Sequence, residues 1–179
     1  MQLLPELNSG GVERGTLEIA RALVAEGHES LVVSNGGRLV AQLEAEGSKH
    51  LTLAIHKKAL SSLWQIRPLR QLIEQHQPDI VHVRSRVPAW LTHFALKGIP
   101  AARRPHLVST VHGFYSINRY SQIMTRAEKV IAVSDSVVKY ITDNYKNCPA
   151  QDIVRIYRGI DPVAFPHGYQ PSAQWLKQV

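Results

Sequence analysis

A chain of 179 residues has room for one α/β domain and a short extension, and not for two full domains. Hydrophobic residues at 44% and charged residues at 20% exclude a chain that is disordered throughout. The 21 Lys and Arg against 14 Asp and Glu leave a formal charge of +7, which favours phosphates, acidic lipids or nucleic acid without choosing among them.

Short apolar runs alternate with amphipathic stretches along the chain, the pattern of βα units on a mainly parallel sheet. Strands are expected at residues 3–4, 31–34, 50–55, 79–83, 106–111, 130–133 and 153–157, and helices at 12–26, 39–46, 68–76, 89–97 and 135–145. In the first helix Leu17, Ala20, Leu23 and Val24 form one stripe, and Gly27-His28 supplies the stop. Pro68 is expected as the first residue of its helix, because an interior proline would break the ladder around Leu69, Leu72 and Ile73. The expected fold is α/β: a Rossmann-like, doubly wound, mainly parallel sheet of about six or seven strands. Residues 1–160 form that domain, and the proline- and glycine-bearing stretch 161–179 reads as a linker.

Ser9-Gly10-Gly11-Val12 follows the first strand and opens the first helix, so backbone amides face outward where the helix macrodipole is positive. Gly10 and Gly11 are candidates for an anion, ordinarily a phosphate; a tight turn relieved by glycine explains the same residues. The three spaced glycines and strand-end acid of a dinucleotide fold are missing, as is the Gly-Lys-Ser/Thr of a triphosphate loop. Arg14 is a cationic candidate beside the turn. Glu13 would repel a close phosphate and suits sugar or acceptor hydroxyls, or simply the helix dipole.

In an open parallel sheet ligands lie beyond the carboxyl ends of the strands, which directs attention to the residues that follow each one. Arg84 and Arg86 follow the fourth strand and present positive charge to an anionic acceptor. His112, with Gly113 behind it, follows the fifth and can exchange hydrogen bonds with a sugar hydroxyl or a reacting oxygen. It is the catalytic candidate among nine histidines. Ser134, after the sixth strand, is a helix cap with a second reading as a ligand contact. No metal site is expected, since no histidine pair carries helix spacing with a carboxylate. The lone Cys148 excludes an internal disulfide and fits a reducing cytosol. No signal-type leader or long apolar run is present, so a cytoplasmic location is expected.

Read together, the segments 4–15, 78–82, 108–113, 131–134 and 158–161 resemble the N-terminal half of a GT-B glycosyltransferase of the retaining group 1 (family 4) type, with residues 84–90 similar to members that build lipopolysaccharide and other envelope glycans. The resemblance spans essentially the whole chain. It implies transfer of a sugar from a nucleotide-diphosphate donor to a glycan or lipid-linked acceptor, with retention, without metal and with no cofactor beyond the sugar nucleotide as co-substrate. It implies that Gly10 and Gly11 approach the donor diphosphate, that His112 touches the transferred sugar, and that Glu13, Arg14, Arg84 and Arg86 face the acceptor. Gly113, Ser134 and Arg158 are further ligand contacts on this reading. Arg158-Gly159 departs from the family's usual Asn-Gly at the interdomain junction. The donor-binding C-terminal domain would lie beyond this chain, which alone is expected to be inactive.

A different class of function is a stand-alone peripheral membrane or partner-docking module, suggested by Leu60, Leu63, Trp64 and Ile66 beside Lys57, Lys58, Arg67 and Arg70. The same patch suits an enzyme at the inner face of the cell membrane. Nucleic acid is not an expected partner, because the basic residues are spread along the chain and no recognition motif gathers them.

Overall fold

Seven short runs become strands: β1 (Gln2–Leu3), β2 (Leu31–Ser34), β3 (Lys49–Thr52), β4 (Ile80–Val83), β5 (His106–Val111), β6 (Lys129–Ala132) and β7 (Ile153–Arg155). Five helices accompany them: α1 (Gly11–Ala25), α2 (Val40–Ala45), α3 (Ile66–His76), α4 (Arg86–Lys97) and α5 (Asp135–Asn144). The computed structural model describes residues 1–159 together with 162, 167, 168 and 170. The expected boundary at residue 160 lies outside the described residues.

All seven strands pair in parallel, in the order β3-β2-β1-β4-β5-β6-β7. Strand order reverses between β1 and β4, where Leu3 pairs with both Val33 and Val83. That reversal opens a crevice at the carboxyl edge, because the chain leaves the two neighbouring strands toward opposite faces of the sheet. The doubly wound α/β expectation is met.

Side-chain alternation along the strands divides the interior into two cores. Val32 turns to a smaller one with Leu4, Leu7, Leu17, Ala20 and Leu43, beneath α1 and α2. Its neighbour Val33 turns to the larger one with Leu3, Leu69, Ile73, Val81, Val83, Leu91 and Ile141, beneath α3, α4 and α5. Each fully buried leucine or isoleucine contributes about 1.5–3 kcal/mol of transfer free energy. The end of α1 follows the expected stop: Gly27 N–H bonds to Val24 O and His28 N–H to Leu23 O, closing a Schellman motif.

Pro68 does not open its helix. A 3-10 turn at Leu60–Gln65 runs directly into α3, which begins at Ile66 and leaves Pro68 third. Amides of a first helical turn have no acceptor inside the helix, so proline loses no hydrogen bond there. Pro88 takes the same place in α4, which therefore starts earlier than its apolar stripe suggests and carries Arg86 on its first residue. No helix among the described residues is long and apolar enough to cross a membrane.

Candidate functional site

The crevice is floored by the turn between β1 and α1. Gly10 caps α1 at φ 134°, a region closed to most side chains, and offers no side-chain oxygen to the helix amides. A Cβ at Gly10 would fall 2.6 Å from Glu13 Oε2, so the Glu13 carboxylate folds back over the cap. Glu13 thus covers one part of the anion site expected at Gly10 and Gly11. Arg14 is exposed on the next position of α1.

What crosses α1 on the inner side is a pair of guanidinium groups. A Cβ at Gly11 would lie 2.6 Å from Arg158 Nη1; one at Gly15 would lie 3.0 Å from Arg158 Nη2 and 3.1 Å from Arg84 Nη2. Gly15 is buried in the helix interior, where glycine costs about 1 kcal/mol relative to alanine, and that cost admits two cations to the helix backbone. Both arginines converge on one Cα.

Arg84 extends from the end of β4 and is 3% exposed. Its Nη1 donates to Gln2 Oε1 at 3.2 Å, while Gln2 Nε2 donates to Thr16 O at 3.1 Å, tying β4, β1 and α1 together. Its Nε has no hydrogen-bond partner among the described residues. Burial first, then the charge of Arg158, lowers the Arg84 pKa to about 10, against a partial correction from Glu18. His112, just beyond β5, lines the same cavity, and neither of its ring nitrogens has a partner among the described residues. Burial, followed by Arg84 and Arg158, holds His112 at about 4, below its ordinary 6.5. The imidazole is therefore neutral at pH 7 and offers one donor and one acceptor rather than a charge. Behind it His82 shares a 2.7 Å hydrogen bond with Thr110, and burial holds it at about 3.

Arg86 parts from Arg84. Ser85 is extended at φ −156° and α4 begins directly after it, which turns the two side chains in different directions. Arg86 Nη1 donates to Ser121 Oγ at 3.2 Å, and the guanidinium stacks 4.9 Å from the Tyr115 ring and 5.3 Å from Tyr120. Trp90 Nε1 donates to Tyr120 O and braces that ring. The expected Arg84–Arg86 pair is thus two sites, one inside the crevice and one on its α4 side. Gly113 has no neighbour within 4 Å of a would-be Cβ and leaves open space behind His112. Ser134 accepts from Val137 N–H at 3.2 Å as the cap of α5. No group of three or more potential metal ligands occurs among the described residues.

A family model described as Glycosyltransferase Family 4 matches residues 9–163. The chain belongs to glycosyltransferase family 4. Among solved structures, a glycosyltransferase from Rickettsia africae ESF-5 is 33% identical, with a TM-score of 0.78 over 99% of this chain and 47% of that one. HepE from Anabaena, solved with UDP-glucose, is 20% identical at a TM-score of 0.72, over 99% of this chain and 48% of its own. The lipopolysaccharide outer core galactosyltransferase WaaB, in its apo form, is 16% identical at 0.66, over 90% and 46%. These last two share the fold. No curated protein sequence matches the chain significantly. The family 4 chain spans about half the length of the structures it matches.

Three residues around this cavity are not among the candidates read from the sequence: Gly15, Gln2 and Thr110. Each had a signal. Gly15 follows Gly11 by one helical turn in a helix that otherwise favours Ala and Leu, and period-two alternation places Thr110 on the same sheet face as His112. Gln2 is a polar residue in a two-residue strand that is buried on both sides.

Proposed function

We propose that this chain is the acceptor-side half of a GT-B enzyme that moves a sugar from a nucleotide-diphosphate donor to a glycan or lipid-linked acceptor, retaining the anomeric configuration and needing no metal. One observation carries the reading: Arg84, Arg158 and His112 meet the N-terminal half of α1 in a cavity at the carboxyl edge of the sheet. Departure of a nucleoside diphosphate accumulates negative charge, and fixed cations beside helix amides stabilise that charge more in the transition state than before it. His112, neutral and without a partner, hydrogen-bonds a hydroxyl of the transferred sugar. Gly10 and Gly11 approach the diphosphate, while Glu13 and Arg14 face the acceptor. Arg86, stacked on Tyr115 and Tyr120, addresses the acceptor. Gly113 gives the sugar room.

A second wall must supply the grip on the nucleotide, since reacting groups held on one side only lack the positioning that makes transfer fast. Purified as these 179 residues, the chain is expected to show no transfer with sugar nucleotides, and to gain it when joined to a donor-binding GT-B half. Robust turnover by the chain alone, or none by the joined protein across nucleotide sugars and lipid-linked acceptors, would sink this reading.

The enzyme is proposed to work at the inner face of the cell membrane, in envelope glycan synthesis of the lipopolysaccharide kind. Leu60 is 85% and Trp64 82% exposed next to Lys57 and Lys58, an apolar ridge edged by positive charge. Arg70 does not join that ridge, because its Nε donates to Ala95 O. Flotation with vesicles containing acidic lipid, repeated at high salt, tests the contact: attachment should weaken as salt screens the lysines.

A further inference from the structure

The cavity between α1 and strands β4–β7 has a volume of about 170 Å³. Ile19, Ile131, Val133 and Ile156 give its lining an apolar part, and Arg84, His112 and Arg158 a polar one. Glu18 is the acidic residue on the wall, and it is exposed. Among the described residues no carboxylate stands within ion-pair distance of Arg84 or Arg158. Arg84, 3% exposed, spends Nη1 on Gln2 and keeps an Nε–H without a partner among the described residues; a second guanidinium reaches the same helix position, and the imidazole has both nitrogens unpartnered there. Leaving the Arg84 Nε–H and the His112 ring nitrogens buried and unpaired is costly, and the cost falls when an anionic acceptor enters beside the exposed Arg158.

The donors come from three elements: Arg84 from the end of β4, His112 from the end of β5 and Arg158 from beyond β7. Convergence of this kind suits a tetrahedral oxyanion with three free oxygens better than a planar carboxylate with two. We infer that this cavity holds one phosphoryl group of a substrate, gripped by the forks of Arg84 and Arg158 with the His112 ring donating to a third oxygen. The inference deepens the nucleotide-sugar reading and rests on it, for it states that substrate charge is held beneath α1 as well as at its Gly10–Gly11 tip. It also gives a reason for glycine at position 15, where any side chain would push the two forks apart. The phosphoryl group belongs either to the donor diphosphate or to a phosphate on the acceptor glycan.

The test uses the 179-residue chain, its thermal midpoint and the imidazole resonances of His112, titrated at constant ionic strength with inorganic phosphate, a nucleoside diphosphate and a hexose phosphate. Inorganic phosphate should raise the midpoint saturably and shift His112, and Arg158→Asn, an exposed position that leaves the fold intact, should weaken that binding about tenfold or more. Arg158→Lys should restore part of it. Tighter, Arg158-dependent binding of the nucleoside diphosphate assigns the group to the donor; the same preference for the hexose phosphate assigns it to the acceptor; both uphold the site. An identical response in Arg158→Asn, or an equal response to chloride, overturns it. If phosphate fails while the joined enzyme still transfers sugar, only this site is lost; if phosphate binds and no transfer is ever seen, the proposed function is lost instead.

Discussion

Strand β5 begins at His106 and is followed at its other end by His112, and the two imidazoles live in opposite worlds. At the amino edge His106 Nδ1 lies 2.7 Å from Glu128 Oε2, fully exposed, with its pKa raised by that hydrogen bond and then by the carboxylate charge. Its surroundings are similarly balanced: Lys129 pairs with Asp152 at 2.9 Å, and Arg104 Nε donates to Ile99 O. At the carboxyl edge His112 is shielded from water, faces two arginines and is held at about 4. Exposed charges that serve only solubility find partners at little cost. Buried donors left unpaired around one cavity at the carboxyl edge mark where a ligand supplies the missing half.

The strongest way to break this contrast is to remove each histidine in turn from the enzyme joined to its donor half. His112→Ala should lower turnover about 100- to 1000-fold with little change in fold, the range for losing a positioned donor near developing charge. His106→Ala should leave turnover within about twofold, the scale of a solvated, screened pair. Equal losses from the two variants would refute the assignment.

Next in size is backbone strain at the crevice floor. Gly10→Ala places a Cβ at φ 134°, 2.6 Å from Glu13 Oε2, and should destabilise the fold by about 1–3 kcal/mol in denaturant unfolding. Gly15→Ala should behave differently, because helix propensity returns up to about 1 kcal/mol while the new methyl presses on Arg84 and Arg158. Its expected signature is weaker phosphate binding, by about three- to tenfold, with stability nearly unchanged.

The pH dependence of stability sharpens the same comparison. His112 and His82 have folded pKa values of about 4 and about 3, below 6.5, so the unfolded chain takes up protons first as pH falls. The stability tied to their neutral forms is present above pH 6.5 and is lost on acidification toward pH 4, with a slope of about 1.4 kcal/mol per pH unit for each histidine. His106 runs the other way: its raised pKa gives a contribution present below 6.5 and lost as pH rises through the folded value, and exposure keeps it small. Histidine NMR titration should find His106 above 6.5 and His112 well below it. His82→Asn should about halve the acid slope. The smallest effect belongs to the cap of α5, where Ser134→Ala should cost about 1 kcal/mol and leave phosphate binding untouched, in keeping with a hydroxyl already engaged by Val137.

The architecture was legible because it follows from local periodicity. Short apolar runs such as Leu31-Val32-Val33 and Ile80-Val81, and the stripe of Leu17 and Ala20, are statements about neighbouring residues, and such patterns placed the seven strands and five helices to within a few residues. Helix starts were harder, as Pro68 and Pro88 show, because a 3-10 turn or a first turn without apolar stripe leaves no periodic mark. The glycine-rich turn, His112 and the Ser134 cap could likewise be picked from their places relative to strand ends.

What the amino-acid order determined by itself was therefore the α/β pattern, the parallel sheet and the edge at which chemistry belongs. Only the tertiary structure decided that Arg84 and Arg86, one residue apart, separate into a buried site and an aromatic-stacked one, and that Arg158 returns from beyond β7 to lie over Gly11 and Gly15. Periodicity reaches across a few residues, whereas the meeting of positions 15, 84, 112 and 158 depends on strand order. Strand order is set by how whole layers bury their faces, and no short stretch of sequence contains it.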